Sequence, residues 1–158
     1  MLPALKEWYS RIRGFSNSTI MESRLKVRLY PEWRQVQDTT ALASYVRGDG
    51  SNSGRLQFSL AEYQHGKVPD ATEKTLIGIC EKLTNGVRGR KEMLSRSGKC
   101  EFGTYGTVVA MGDFPIRLQV WVLSNERVFI LVTHTCEKEP TSQEVTEAEK
   151  IALMTGFS

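Results

Sequence analysis

Two side chains able to do chemistry near neutral pH meet once in this sequence. His134 and Cys136 stand two residues apart at the end of the apolar run Val128 to Thr135. Residues i and i+2 share one face of a strand, so an imidazole and a thiol become neighbours there. Such a pair can act as nucleophile and base, or as half of a metal site. A zinc site needs two further ligands, and only Cys100 offers itself in the pattern. The competing reading, a strand-end histidine beside a packed cysteine, is preferred. The other histidine, His65, precedes Gly66 in a stretch with loop composition.

Other candidates are weaker. Gly48-Asp49-Gly50 with Gly54 lacks the lysine and hydroxyl of a phosphate loop, and a strand rather than a helix follows it. Ser95-Arg96-Ser97-Gly98-Lys99 has a lysine after a glycine but the wrong spacing. Carboxylates are scattered, so no acid and base pair stands out. Arg88, Arg90, Lys91, Arg96 and Lys99 form a basic segment offset by Glu92. No aromatic residues interleave with it, unlike a base-stacking surface. It reads first as a solvated turn and second as a protein-docking surface. Trp121 lies beside Arg117 and Gln119 on the polar side of its strand, a pairing enriched at interfaces. A helix covering that face would bury it, and that reading is favoured. Arg88, Arg90, Lys91, Arg117 and Trp121 are thus the candidate partner-binding residues. No catalytic, cofactor-binding or metal-binding residue is assigned.

These residues must be held by a scaffold. At 158 residues the chain matches one domain of roughly 100–200 residues. A core of that size needs neither disulfide nor metal. The net charge of +3 is too small for a dedicated nucleic-acid binder. Cys80, Cys100 and Cys136 are few and scattered, which favours reduced thiols in a cytoplasmic setting; a Cys100–Cys136 bridge stays open. The N-terminus lacks the apolar core of a signal peptide, so Asn17-Ser18-Thr19 is a chance sequon. No apolar run is long enough to span a membrane.

Leu5, Trp8, Tyr9 and Ile12 share a helical face, predicting an N-terminal helix over 1–14 ended by Gly14, then a linker over 15–23. Alternation predicts strands at Leu25–Leu29, ended by Pro31-Glu32-Trp33, at Leu42–Arg47 and at Arg55–Gln64. Asp70 and Glu73 have capping-box spacing, predicting a helix with Leu76, Ile77, Cys80 and Leu83 as its stripe and a stop at Asn85-Gly86. Strands follow at Lys91–Ser95, Lys99–Tyr105, Thr107–Met111, Ile116–Val122 and Val128–Thr135. The last is apolar on both faces, so it belongs mid-sheet with helices above and below. A two- or four-residue turn after Ser124 puts Trp121 on the face of Ile130; a three-residue turn reverses this. Thr141 and Glu144 form a second capping box before a helix with Val145, Ala148, Ile151 and Ala152, ended by Gly156. The predicted class is α+β. An antiparallel sheet of about six to seven strands is flanked by helices over 24–155, within one domain spanning 1–158.

The element order resembles the Mog1/PsbP-like fold, which includes DcrB-like proteins. The resemblance rests on the strand into Pro31-Glu32-Trp33, the hairpin Leu118–Leu123 through Val128–Thr133, and the helix Glu144–Leu153. Glu32 stands where the family often has a glycine, and the N-terminal helix looks like an addition. The resemblance implies a three-layer α/β/α sandwich and a role in binding proteins. Family members bind a small GTPase, assemble with a photosystem or act as adaptor chaperones. No functional residue carries over. The expected function is a non-enzymatic protein-binding module, an adaptor or chaperone, whose partner is another protein, with a homodimer among the arrangements considered. The alternative is a small-molecule-binding domain or minor enzyme with a pocket between sheet and helix. Neither a cofactor nor a nucleic-acid partner is expected.

Overall fold

Hairpins dictate most of the architecture. The computed structural model describes residues 12–16, 24–38, 41–63, 71–125 and 127–158. Strands β1 (Ile12–Ser16), β2 (Leu25–Lys26), β3 (Trp33–Val36), β4 (Ala43–Arg47) and β5 (Arg55–Tyr63) precede helix α1 (Glu73–Leu83). Then come β6 (Glu92–Lys99), β7 (Thr104–Met111), β8 (Arg117–Ser124), β9 (Val128–Cys136), helix α2 (Ser142–Leu153) and β10 (Gly156–Phe157). The sheet order is β3-β4-β5-β9-β8-β7-β6, antiparallel throughout. Two meanders, β3-β4-β5 and β6-β7-β8-β9, thus meet where β5 pairs with β9. The all-apolar β9 is central, as its composition requires.

Ser124 pairs with Phe129 and Trp121 with Val132. The β8–β9 turn is therefore the even-length one, and Trp121 shares a face with Ile130. On that face Phe58, Leu60, Trp121, Ile130 and Val132 pack against Ala148, Ile151 and Ala152 of α2. On the other face Val108, Val120, Val122 and Phe129 pack against Leu76, Ile79 and Cys80 of α1. Each fully buried Leu or Phe side chain contributes about 1.5–3 kcal/mol over an exposed one. Gly106 lets α1 sit this close, because a Cβ there would meet Ile77 N at 2.7 Å. The layers are offset. α1 packs over β6–β8, while α2 packs over the β5–β9–β8 side of the opposite face. That offset leaves β6 exposed on the α2 side, and β7 only half-buried there at Val109 and Met111.

Several local expectations change. Residues 12–14, expected to end a helix, lie in β1, as do 15 and 16 of the expected linker; residues 1–11 and 17–23 lie outside the described residues. β4 pairs only as far as Phe58. The outer edge of β5 beyond it needs hydrogen-bond partners, and β1 supplies them at Leu60–Tyr63. The strand expected at Leu25–Leu29 shrinks to Leu25–Lys26, which pairs with β10. Trp33 starts a strand instead of ending one, because a turn at Pro31-Glu32 precedes it. The two strands expected over 91–105 are one strand and its hairpin partner, joined through Cys100 N–H to Gly103 O. Thr72 caps α1, since its side chain accepts from Thr75 N–H; Asp70 lies outside the described residues. Ile79 replaces Leu83 in the buried stripe, and Leu83 is exposed. Thr141 caps α2 as expected, but Gly156 belongs to β10.

Candidate functional site

Three glutamates on α2 face the sheet, and each is held by a different set of polar groups. Glu144 and Glu147 are buried and Glu149 is half-buried. Ala148, Ile151 and Ala152 continue the stripe at i+4, i+7 and i+8 from Glu144. Its carboxylate therefore falls on the inward face of the helix.

Glu144, in the first turn of α2, accepts from Gly54 N–H at 2.9 Å and contacts His134 Nε2 at 2.8 Å. Cys136 Sγ lies 3.6 Å from the same nitrogen and 3.9 Å from Glu144 Oε2. All three side chains are almost wholly buried. A Cβ on residue 54 would stand 2.5 Å from Cys136 Sγ and 2.7 Å from His134 Nε2, so only glycine closes this side. Burial opposes charge on Glu144, but the hydrogen bonds from His134 and Gly54 outweigh it and hold the carboxyl below its ordinary value. Burial, reinforced by the Glu144 charge, pushes the Cys136 thiol up to about 12.

The sequence pairing of His134 with Cys136 therefore exists, with Glu144 as an unforeseen third member. It is not an activated nucleophile. A reactive cysteine needs a lowered pKa and access, and Cys136 has neither. A catalytic base also sits between nucleophile and orienting carboxylate, whereas here the thiol lies almost equally far from both ring nitrogens, 3.6 Å from Nε2 and 3.8 Å from Nδ1, and itself approaches the carboxylate. The trio offers three ligand atoms within 4.8 Å of one another. A metal would need the thiolate, and the His134 and Glu144 atoms already bond each other within a shell closed by Gly54. The arrangement does not fit a metal centre. Cys100, the proposed further ligand, lies by the β6–β7 hairpin, whereas Cys136 pairs with Arg117 at the other end of β8. All three cysteines are free.

Glu147 accepts from Trp33 Nε1 at 3.2 Å and Arg47 Nε at 3.0 Å. Glu149 Oε2 accepts from Trp121 Nε1 at 2.8 Å and Gln119 Nε2 at 2.9 Å, and its other oxygen pairs with Arg96. Gln119 also donates to Thr107 Oγ1, which donates to Val120 O. Glu149 thus ties α2 to three strands.

Beside Glu149 the uncovered sheet forms an open groove of about 440 Å³. Val145, Thr146 and Lys150 make its helical wall, Thr107, Val109 and Arg117 line its floor, and Leu94 and Arg96 line its outer bank. Leu94 is 54% exposed. Arg117 Nη2 donates to Gln119 Oε1 at 3.0 Å. Its Nη1 is buried and is the one buried side-chain nitrogen or oxygen without a hydrogen-bond partner among the described residues.

Of the five candidate partner-binding residues, only Arg117 borders this groove. Trp121 is fully buried, so its place as a docking residue is corrected: the covering helix takes it into the core. Arg88, Arg90 and Lys91 are exposed on the segment before β6. Arg88 stacks over Phe114, Arg90 meets Asn85 Oδ1, and Lys91 pairs with Asp113. His65 lies outside the described residues. Leu94 and Glu149 carried no motif. Their signals were an apolar side chain in a polar strand and a carboxylate beside an apolar stripe.

No protein-family model matches the sequence, and no curated protein matches it. Among solved structures, the solution structure of the cyanobacterial PsbP protein CyanoP, from Synechocystis sp. PCC 6803, aligns over 94% of this chain and 93% of that one. The TM-score is 0.60 at 9% sequence identity. The chain has a PsbP-like fold. A crystal structure from Bacteroides thetaiotaomicron VPI-5482 aligns over 87% of this chain and 46% of that one, with a TM-score of 0.48 and 12% identity. At such identities the PsbP-like likeness concerns fold alone. Among the described residues no helix is long and apolar enough to cross a membrane.

Proposed function

We propose that this chain is a non-catalytic protein-binding module whose contact surface is the groove between α2 and strands β6–β8. The observation that supports this is the groove's make-up. Leu94, Val109 and Val145 offer apolar contact, while Arg96, Arg117 and Lys150 outnumber the single carboxylate of Glu149. An apolar centre with a charged rim is the usual anatomy of a protein contact. The matching occupant is a polypeptide segment with an apolar anchor flanked by acidic residues. A small-molecule pocket between sheet and helix is the competing use of the same place. Ligand pockets, however, enclose most of their ligand, and this groove lies open along Leu94. The His134–Cys136–Glu144 cluster is sealed and offers no chemistry to a substrate.

A photo-crosslinking amino acid placed at Thr146, on the helical wall, tests the proposal in lysate. The expected result is one reproducible crosslinked protein, lost in the Val145→Glu/Lys150→Glu variant and kept in Lys138→Glu. Capture that ignores the groove variant would remove the proposal.

A further inference from the structure

β6 is an edge strand of eight residues, and among the described residues no strand pairs with its outer side. The other end of the sheet, β3, has four residues, and its Arg34 side chain bonds Gly48 O and Asp49 O. A long open edge is a template for another strand, and the pattern of β6 says which one.

Cys100 N–H bonds Gly103 O in the register that runs along β6 and β7. Main-chain bonding alternates along an antiparallel strand. Even-numbered residues of β6 therefore turn their main-chain groups to β7, and Met93, Ser95, Ser97 and Lys99 turn theirs outward. A second strand of the same kind must match odd with odd, which permits only two-fold arrangements centred on a residue. Centring on Arg96 sets guanidinium against guanidinium. Centring on Ser95 sets Leu94 against Arg96 and Glu92 against Gly98. Centring on Leu94 sets Leu94 against Leu94, Glu92 against Arg96 and Arg96 against Glu92. Glu92, Leu94 and Arg96 are all exposed and share the α2 face of the sheet. Opposite charges and paired apolar side chains directly across a ladder stabilise it, and like charges destabilise it.

We infer that β6 is a self-complementary dimer edge, joining two copies antiparallel about Leu94 with reciprocal Glu92–Arg96 pairs. Met93 and Ser95 of one copy exchange main-chain hydrogen bonds with Ser95 and Met93 of the other. Arg96 keeps its pairing with Glu149, since a guanidinium carries five donors and serves two carboxylates. The interface is isologous, as closed two-fold symmetry requires. The two grooves then lie side by side on one face and form a continuous trough walled by two α2 helices. The inference goes beyond the groove-binding proposal and does not depend on it.

Mass measured by light scattering during size exclusion, at the highest soluble concentration, tests it. Wild type is expected at twice the 17.8 kDa of one chain. Glu92→Arg alone, with two arginines flanking Leu94, and Arg96→Glu alone, with two glutamates, are each expected to be monomeric and to keep wild-type circular dichroism. An equimolar mixture is expected to recover the dimer mass, because each variant's charges now complement the other's. A monomeric wild type, variants that stay dimeric, or a mixture that stays monomeric would each overturn the inference. Simple loss of folding cannot produce recovery on mixing.

Discussion

The Glu144 side and the Glu149 side of α2 meet the same sheet in opposite ways. At its N-terminal end Glu144, His134, Cys136 and Gly54 close on one another with no room for a methyl group. Farther along, beside Glu149, the sheet runs out from under the helix and leaves Leu94 and Arg117 around an open groove. One cause serves both. The two helices are offset on opposite faces, so α2 covers β9 completely and leaves Glu92, Leu94 and Arg96 of β6 exposed. Chemically capable residues therefore sit where nothing can reach them, and the accessible surface is made of ordinary binding side chains. A histidine and a cysteine on one strand face say nothing about access; the position of the covering helix decides it.

This contrast can be broken most severely at the closed end. Glu144→Ala strands His134 and the Gly54 N–H without their acceptor. Each buried group left without its partner costs about 1–3 kcal/mol, and two are stranded here, which urea denaturation will show as a lower midpoint at unchanged slope. Gly54→Ala places a methyl group against Cys136 Sγ and His134 Nε2. Overpacking of this sort costs about 1–3 kcal/mol, measured in the same way.

Acid sharpens the contrast. The Glu144 carboxyl titrates below its unfolded value. Its stabilisation is therefore present above the unfolded value of about 4.3 and is lost as pH falls through the lower folded value. The stability gap between wild type and Glu144→Gln should narrow as pH falls below about 4. A gap that widened in acid would contradict the geometry. The smallest effect belongs to the open end. Val145→Glu/Lys150→Glu alters the half-buried and exposed groove wall and should change stability by no more than about 0.5 kcal/mol, while removing the crosslink from Thr146.

Much of the fold was legible because period-two alternation and capping chemistry are local. β4, β5, β8, β9 and both helices follow their patterns, and the two-sided apolarity of β9 placed it centrally. Residues 12–16 misled because Ile12 fits a helical face with Leu5, Trp8 and Tyr9, while the need that fixes β1, the unpaired outer edge of β5, is non-local. The closed cluster was half legible. His134 and Cys136 are two apart, but Gly54 and Glu144 reach them only through the β5–β9 pairing and the docking of α2. The groove was not legible at all, since it arises from an offset between layers that no single segment encodes.

The β5–β9 pairing also sets the order of events on the way to this structure. Each meander is built from hairpins between neighbouring strands, whereas Arg55 pairs with Thr135 across about half of the chain. Contacts so distant in sequence close slowly, because loop entropy is lost before they repay it. Gly54 enters β5 and His134 lies on β9, so Glu144 clamps a seam that must already be shut. Its contacts belong after the barrier. Glu144→Gln should then leave the refolding rate nearly unchanged and hasten unfolding, making this small sealed cluster a determinant of how long the molecule stays folded.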